Sequence, residues 1–261
     1  MSESSVTTSV LQSFRIDGQV AIVTGAAQGL GAAMAIALAE AGADVALVDR
    51  GDAGETAAAV RTSGRRALTV HADLMNRDAP AAIMAAVIAE FGRADILVNN
   101  AGIIRRADVL EFSDDDWDAV IDVNLRAAFV LSREFARALA GRKSGGRIIN
   151  IASMLSFQGG IRVPSYTAAK SALLGLTRAL ANELAPLGIN VNAIAPGYMA
   201  TDNTAALRAD PQRSRDILAR IPAARWGTPD DLKGTVVFLA SPASAYVHGS
   251  VIAVDGGWLA R

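Results

Sequence analysis

Short apolar runs bounded by turn residues alternate along the chain with longer Ala- and Leu-rich segments of helical period. Such runs, without polar alternation, are typical of strands buried on both faces of a parallel sheet. Strands are predicted at residues 20–24, 45–49, 67–70, 96–99, 147–151, 190–195 and 251–254. Helices are predicted at residues 30–41, 53–63, 79–91, 114–139, 165–184 and 229–240. Because crossovers between parallel strands are right-handed, the pattern predicts an α/β fold: a single doubly wound, seven-stranded parallel sheet with helices on both faces.

The domain organisation follows from the same alternation of predicted strands and helices. No Pro/Ser-rich linker interrupts it, so residues 14–261 are predicted to form one domain. Residues 1–13 are rich in Ser and Thr and are expected to be a flexible N-terminal tail. Residues 198–226 are long, charged and without a predicted strand. Because long loops in compact α/β domains are commonly functional, we interpret this segment as a lid over a substrate site, with an irregular connection as the alternative.

Charge and composition exclude several classes of protein. The chain has 25 Lys and Arg against 26 Asp and Glu, a net charge of −1, so nucleic acid is not expected as a partner. It has no Cys and 2 His, which excludes thiolate nucleophiles, disulfides and Cys- or three-His-ligated zinc, and no metal is expected. The apolar runs are shorter than the roughly 18 to 20 residues of a membrane span. We therefore expect a cytoplasmic protein without a membrane partner.

A glycine-rich turn follows the first predicted strand and opens the first predicted helix. Its positions of interest are Gly25, Gln28, Gly29, Leu30 and Gly31. Such a turn lets the backbone approach a pyrophosphate, whose charge meets the positive end of the helix and its unpaired N–H groups. The spacing differs from the Gly-x-Gly-x-x-Gly fingerprint, and a bare strand-to-helix turn is the alternative.

An acidic residue, Asp49, ends the second predicted strand 18 residues after Gly31. An acid at this position meets the adenosine ribose hydroxyls of a dinucleotide. A 2′-phosphate about 5 Å from this carboxylate would be repelled by about 3 kcal/mol per charge pair at an effective dielectric of about 20, which favours NAD over NADP. Arg50 would soften this preference, and a solvated Asp at a strand end is the alternative interpretation.

Three side chains predict the chemistry. Tyr166 and Lys170 lie four residues apart in a predicted helix and therefore share one face, while Ser153 follows the fifth predicted strand. A neighbouring cation is expected to lower the pKa of the phenol from its usual value near 10. Tyr166 then shuttles the alcohol proton, Ser153 holds the reacting oxygen, and Lys170 binds the nicotinamide ribose. Tyr-x-x-x-Lys alone is common on surface helices, so the prediction depends on the combination.

In combination, these motifs resemble the short-chain dehydrogenase/reductase family from about Phe14 onward. Further motifs carry the resemblance: Asp73-Leu74, Asn99-Asn100-Ala101-Gly102, Asn124, Pro196-Gly197 and Thr201. The resemblance implies a Rossmann sheet, a homotetramer and an NAD cofactor. It also implies that Asp73 and Leu74 contact the adenine, and that Asn100, Ala101, Gly102, Pro196, Gly197 and Thr201 line the cofactor site.

The resemblance implies a catalytic set of Asn124, Ser153, Tyr166 and Lys170, in which Asn124 holds a water that links Lys170 to solvent. Within the family, residues 152–166, 195–201 and 255–261 are most similar to members that act on deoxy-keto sugar acids, with a secondary alcohol and a ketone interconverted. Trp258 and Leu259 are interpreted as anchors between subunits.

A sugar-acid substrate needs a cation for its carboxylate and polar groups for its hydroxyls. Gln158, Arg162 and Arg105 are predicted to supply them, beside Ser153 and Tyr166 at the reacting carbon. The alternative is that these arginines and Arg106 face solvent or a neighbouring subunit, and for Arg106 this alternative is favoured. Other substrates remain open, namely gluconate, another polyol or a 3-oxoacyl group, as does a non-catalytic dinucleotide-binding protein.

Overall fold

The computed structural model describes residues 9–140 and 145–261, which are built around one sheet of seven strands. The strands are β1 (Val20–Thr24), β2 (Asp44–Asp49), β3 (Ala67–His71), β4 (Ile96–Asn99), β5 (Gly146–Ile151), β6 (Ile189–Pro196) and β7 (Val251–Val254). All neighbours pair in parallel, in the order β3-β2-β1-β4-β5-β6-β7. The predicted doubly wound Rossmann fold is confirmed.

Helices cover both faces of the sheet. They are α1 (Gly29–Glu40), α2 (Gly54–Thr62), α3 (Ala79–Phe91), α4 (Asp114–Ile121), α5 (Ala127–Leu139), α6 (Pro164–Leu184), α7 (Ala205–Ala209), α8 (Pro211–Arg220) and α9 (Lys233–Ala240). One core cluster packs α1, α2 and α9 against the sheet, and a second packs α3, α5 and α6 against its other face. Strands β1, β4 and β6 are buried along their whole length, which explains their uninterrupted apolar sequence.

The predicted continuous helix 114–139 is wrong in its middle. A π-helical segment, Asp122–Arg126, separates α4 from α5. Segments of this kind are rare and frequently occur at functional sites. The sequence gives no sign of the wider turn, because the apolar period continues through it. The predicted helix 229–240 also begins as a 3-10 helix, Pro229–Leu232.

The two segments predicted to be irregular have local structure. Of the predicted N-terminal tail, residues 1–8 lie outside the described residues, and the rest leads into a short 3-10 helix, Gln12–Phe14. The segment 198–226 contains α7 and α8 and is closed at its base by two backbone hydrogen bonds. The N–H of Ala200 donates to the carbonyl of Gly227 over 2.7 Å, and the N–H of Gly227 donates to the carbonyl of Tyr198 over 2.9 Å.

A series of hydrogen bonds between buried polar side chains fixes helix α6 to the sheet. The Asn99 amide donates to Ser132 at 3.0 Å and to Asn150 at 2.9 Å, and the Asn150 amide donates to Thr177 on α6 at 2.9 Å. Because unpaired buried polar groups are costly, these hydrogen bonds allow few alternative positions for α6. Within the described residues, no helix is both long and apolar enough to cross a bilayer, and no group of three or more acidic or His side chains is arranged to hold a metal ion.

Candidate active site

The strand order reverses between β1 and β4, and a crevice opens there at the carboxyl edge of the sheet. The glycine turn forms one wall. A Cβ on Gly31 would lie 1.9 Å from the carbonyl oxygen of Gly25, so no side chain fits there. Gly25 and Gly29 have φ angles of +65° and +59°, in the left-handed region that favours glycine. The Asn100 amide donates to the carbonyls of Thr24 (2.8 Å) and Gly25 (3.0 Å), which ties this turn to the end of β4.

The crevice is a continuous cleft of about 860 Å³. Almost all predicted cofactor and catalytic residues line it: Gly25, Gln28, Gly29, Leu30, Gly31, Asp49, Asp73, Leu74, Asn100, Ala101, Gly102, Ser153, Tyr166, Lys170, Pro196, Gly197 and Thr201. Arg105 also lines the cleft, whereas Asn124, Gln158 and Arg162 lie outside its wall. The structure therefore brings together residues that are far apart in sequence, without any side chain blocking the glycine wall.

Asp49 lies at one end of the cleft with its carboxylate fixed by the backbone. One oxygen accepts from the N–H of Ala27 at 2.9 Å, and the other from the N–H of Gly51 at 2.8 Å. These bonds hold a negative charge at the cleft rim beside the glycine turn. The neighbouring Arg50 is exposed and also lines the cleft.

Tyr166 and Lys170 both lie on the first two turns of α6, as predicted, and face the cleft. The Ser153 hydroxyl acts on the phenol in the direction that lowers its pKa. Ser153 is itself held at the start of a short 3-10 helix, where it accepts from the N–H of Leu155 at 3.1 Å. The Lys170 ammonium lies 5.7 Å from the centre of the Tyr166 ring and donates to the carbonyl of Ile151 at 2.6 Å.

The expected lowering of the phenol pKa is wrong for this chain. Burial raises the pKa of Tyr166 above its usual value, and the Ser153 hydroxyl and the charge of Arg106 only partly oppose this. Burial also lowers the pKa of Lys170 from 10.5 to about 8. The physical reason is common to both groups: a wall poor in water disfavours the charged form of each.

Asn124 lies in the π-helical segment and is almost completely buried. Its side-chain oxygen accepts from the N–H of Ile103 at 2.8 Å, and its amide donates to the carbonyl of Ile103 at 2.9 Å. The Asn124 side chain thus pairs with both backbone polar groups of Ile103, in the loop after β4, as the backbone of a neighbouring strand would. A Cβ on Gly102 would lie within 3.1 Å of the Asn124 oxygen and 3.7 Å of the Lys170 nitrogen, so both side chains adjoin this loop.

The three arginines near the cleft differ in their partners. Arg105 pairs with Asp116 at 2.9 Å, and Arg162 pairs with Asp108 at 3.2 Å. Arg106 has no carboxylate within salt-bridge distance among the described residues, and its charge acts on the Tyr166 phenol. The favoured interpretation that Arg106 faces solvent agrees with the structure, in which the side chain is exposed, donates to the carbonyl of Asn203 at 3.4 Å and is not part of the cleft wall. Of the two adjacent arginines, Arg105 lines the cleft.

The segment 198–226 contributes to the cleft through residues 199–204. The Gln28 amide donates to Asp202 at 3.0 Å, which connects the segment to the glycine turn.

Trp258 is 6% exposed and packs against α8, so its interpretation as an anchor between subunits is wrong for this side chain. The indole is buried within its own chain, and its place in the sequence, three residues before Arg261, does not predict this burial.

Comparison with known proteins agrees with this geometry. The family profile described as enoyl-(acyl carrier protein) reductase matches residues 25–259. The chain belongs to the short-chain dehydrogenase/reductase family. It is 58% identical over 252 residues to the 2-dehydro-3-deoxy-D-gluconate 5-dehydrogenase of Dickeya dadantii, covering 97% of this chain and 100% of that one.

Two solved structures of the same family are also similar. An Agrobacterium tumefaciens protein with bound NADP is 53% identical, with a TM-score of 0.90 over 95% of this chain and 99% of that one. A gluconate 5-dehydrogenase of Burkholderia cenocepacia, in complex with NADP and tartrate, is 39% identical, with a TM-score of 0.92 over 97% of this chain and 100% of that one. As a short-chain dehydrogenase/reductase, the chain is an oxidoreductase with a dinucleotide-binding fold for NAD(P).

Proposed function

We propose that the chain is a dehydrogenase that interconverts a secondary alcohol and a ketone on a deoxy-keto sugar acid of the 2-dehydro-3-deoxy-D-gluconate type, with NAD(H). The observation that carries the substrate is the full-length 58% identity to an enzyme of that name. The glycine wall, the fixed Asp49 carboxylate and the hydroxyls of Ser153 and Tyr166 in one cleft support the reaction type.

The dinucleotide fits the cleft through groups of this chain. The backbone of Gly25, Gln28, Gly29, Leu30 and Gly31 leaves space for a pyrophosphate at the N-terminus of α1. Asp73 and Leu74 are proposed to contact the adenine, and Asn100, Ala101, Gly102, Pro196, Gly197 and Thr201 to line the rest of the site. When bound, the nicotinamide accepts or supplies the hydride.

The proposed preference for NAD over NADP rests on Asp49. Its carboxylate is held at the rim by two backbone N–H groups, so it cannot turn away from a 2′-phosphate without losing both bonds. Both solved relatives described above hold NADP, so they support a dinucleotide but not the choice of NAD. Arg50 lies at the same rim and limits the preference.

Tyr166 is proposed as the group that exchanges a proton with the substrate oxygen. Because burial raises its pKa, the phenol carries its proton at neutral pH and is ready to donate it during reduction of a ketone. Ser153 orients the same oxygen through its hydroxyl. Lys170 binds the nicotinamide ribose and favours the phenolate in the oxidation direction, and Asn124 holds the loop and a water that passes the proton to solvent.

The substrate carboxylate is proposed to meet the arginines at the cleft mouth. Arg106 is proposed as one contact, because no carboxylate among the described residues pairs with it and its charge lowers the pKa of Tyr166 slightly against the effect of burial. Arg105 and Arg162 are proposed as further contacts, although each must leave or share an aspartate. Gln158 is proposed to bind a substrate oxygen. The segment 198–226 is proposed as a lid over these groups.

One assay tests this function. Steady-state rates are compared for 2-dehydro-3-deoxy-D-gluconate, gluconate and a 3-oxoacyl ketone, with NAD or NADH as the direction demands. We expect kcat/KM for the deoxy-keto sugar acid to exceed the others by about tenfold or more, because lost polar contacts leave buried groups unpaired. A higher value for gluconate or the acyl ketone reassigns the substrate. No turnover of any substrate, with NADH still bound, favours the non-catalytic dinucleotide-binding protein.

Assembly and location complete the proposal. We propose a cytoplasmic homotetramer, the assembly that the family resemblance implies. Light scattering at several protein concentrations tests the tetramer, and a stable monomer would contradict it. Fractionation of cells that produce the protein tests the cytoplasmic location.

A further inference from the structure

Trp258 lies between the loop that carries Ser153 and the lid helix α8. Its indole packs in one cluster with Met154, which directly follows Ser153, and with Ile217 and Ile221 at the end of α8. The edge of Tyr198 contacts it at 4.7 Å between ring centres, and the Arg220 guanidinium lies 4.0 Å above its ring. One buried side chain therefore joins the catalytic loop to the lid.

A hydrogen bond from the same indole fixes the amide of Gln158. The indole N–H donates to the side-chain oxygen of Gln158 at 2.9 Å. An indole nitrogen is a donor only, so the amide must present its oxygen to Trp258. The other end of the amide, the NH₂ group, is then left to donate. Trp258 thus leaves the N–H groups of the Gln158 amide, rather than its oxygen, for a further partner, at a position just outside the cleft wall.

The residues that flank Trp258 fix its position and hold the end of α8. The Asp255 carboxylate accepts from the N–H groups of Gly257 (2.8 Å) and Leu259 (2.9 Å), which closes a tight turn. The Arg261 guanidinium donates to the carbonyls of Ala219 (2.7 Å) and Arg220 (3.2 Å). A cation at these carbonyls caps the C-terminus of α8 and complements its dipole.

We propose that Trp258 is a positioning residue of the substrate site. It orients Gln158 so that the amide donates to an oxygen of the sugar acid, and it holds α8 of the lid against the loop of residues 153–158. Arg261 supports it by capping α8. This inference rests on the proposed function for its substrate, but the contact between lid and loop is independent of which substrate is bound.

Kinetics test the orientation of Gln158. Gln158→Glu keeps an oxygen for the indole and replaces the donors with a carboxylate, so we expect KM for the sugar acid to rise about tenfold or more, with KM for NADH unchanged. Trp258→Phe keeps an aromatic ring but frees the amide, and we expect KM for the sugar acid to rise about three- to tenfold, the loss of one oriented hydrogen bond. Trp117→Phe, the same substitution on α4, is the matched control and is expected to leave both KM values unchanged.

Hydrogen–deuterium exchange tests the lid contact without any substrate. Trp258→Phe and Arg261→Ala are expected to speed exchange of the amides of α8 several-fold, while the amides of β1 and β4 exchange as in the unchanged chain. Arg61→Ala is the matched control, because Arg61 also lies in the last turn of a helix, α2, and donates to a backbone carbonyl at 3.3 Å. It is expected to leave exchange in α8 unchanged.

The outcomes are separable. Unchanged exchange in α8 overturns the contact between lid and loop, whatever the activity. Faster exchange with an unchanged KM, or a Gln158→Glu variant with normal kinetics, overturns the role in substrate binding. If the unchanged chain turns over gluconate or an acyl ketone instead of the deoxy-keto sugar acid, the proposed function fails, and the same variants are measured with the substrate that is used.

Discussion

The ammonium of Lys170 lies 5.7 Å from the centre of the Tyr166 ring, and both groups are held in the same water-poor wall of the cleft. Desolvation acts in opposite directions on the two pKa values, raising that of the phenol and lowering that of the ammonium. Burial is therefore the largest cause of both shifts.

Replacing Tyr166 with Phe removes the proposed proton donor and keeps the ring. We expect kcat to fall by about two to four orders of magnitude, the usual contribution of a positioned acid or base. NADH binding, followed by nicotinamide fluorescence, is expected to change little. Substantial turnover in Tyr166→Phe would falsify the assigned role.

The pH dependence of stability tests the burial of Lys170. Its pKa is 10.5 unperturbed and about 8 in the folded chain, so between these pH values the unfolded chain binds the extra proton and stability rises with pH. Below pH 8 the buried ammonium costs about 3 kcal/mol of folding free energy. Lys170→Met lacks this cost, so its stability advantage over the unchanged chain should shrink by about 3 kcal/mol from pH 8 to pH 10.5. Urea unfolding at several pH values measures it, and a pH-independent difference between the two proteins would contradict the lowered pKa.

Asp49→Asn removes the proposed barrier to a 2′-phosphate and retains an acceptor for one backbone N–H. We expect the ratio of kcat/KM with NAD to that with NADP to fall by about two orders of magnitude, which corresponds to the repulsion of about 3 kcal/mol between a close charge pair. Arg50→Ala at the same rim is the control of opposite sign and should raise the ratio. A ratio that does not move in Asp49→Asn would remove Asp49 from the adenosine ribose.

The arginines are distinguished by paired substitutions. Arg106→Ala is expected to raise KM for the sugar acid by one to two orders of magnitude, as the loss of a charge-assisted contact. Arg162→Ala is expected to raise it less, because Arg162 already pairs with Asp108. Steady-state kinetics with NADH saturating measure both. If only Arg162→Ala changes KM, the carboxylate lies on the other side of the cleft mouth from the one proposed.

Much of the fold could be predicted because its causes are local. Strands buried on both faces must be continuously apolar, and the glycine turn must lack side chains where the backbone closes on itself at Gly25 and Gly31. The four-residue spacing of Tyr166 and Lys170 likewise fixes their common face once the helix exists. These features depend on neighbours in sequence, so the sequence by itself determined the sheet, the glycine turn and the common face of Tyr166 and Lys170, while the other cleft residues were implied by the family resemblance.

Only the tertiary structure decided the rest, because it depends on groups far apart in the chain. The side chain of Asn124, in the π-helical segment, binds the backbone of Ile103. Arg105 and Arg162 pair with Asp116 and Asp108. Trp258 is buried against α8, about forty residues earlier in the chain. Burial also reversed the expected shift of the Tyr166 pKa. Sequence spacing shows which charged groups lie near Tyr166. The direction of its pKa shift is set by the exclusion of water, which is a property of the folded molecule.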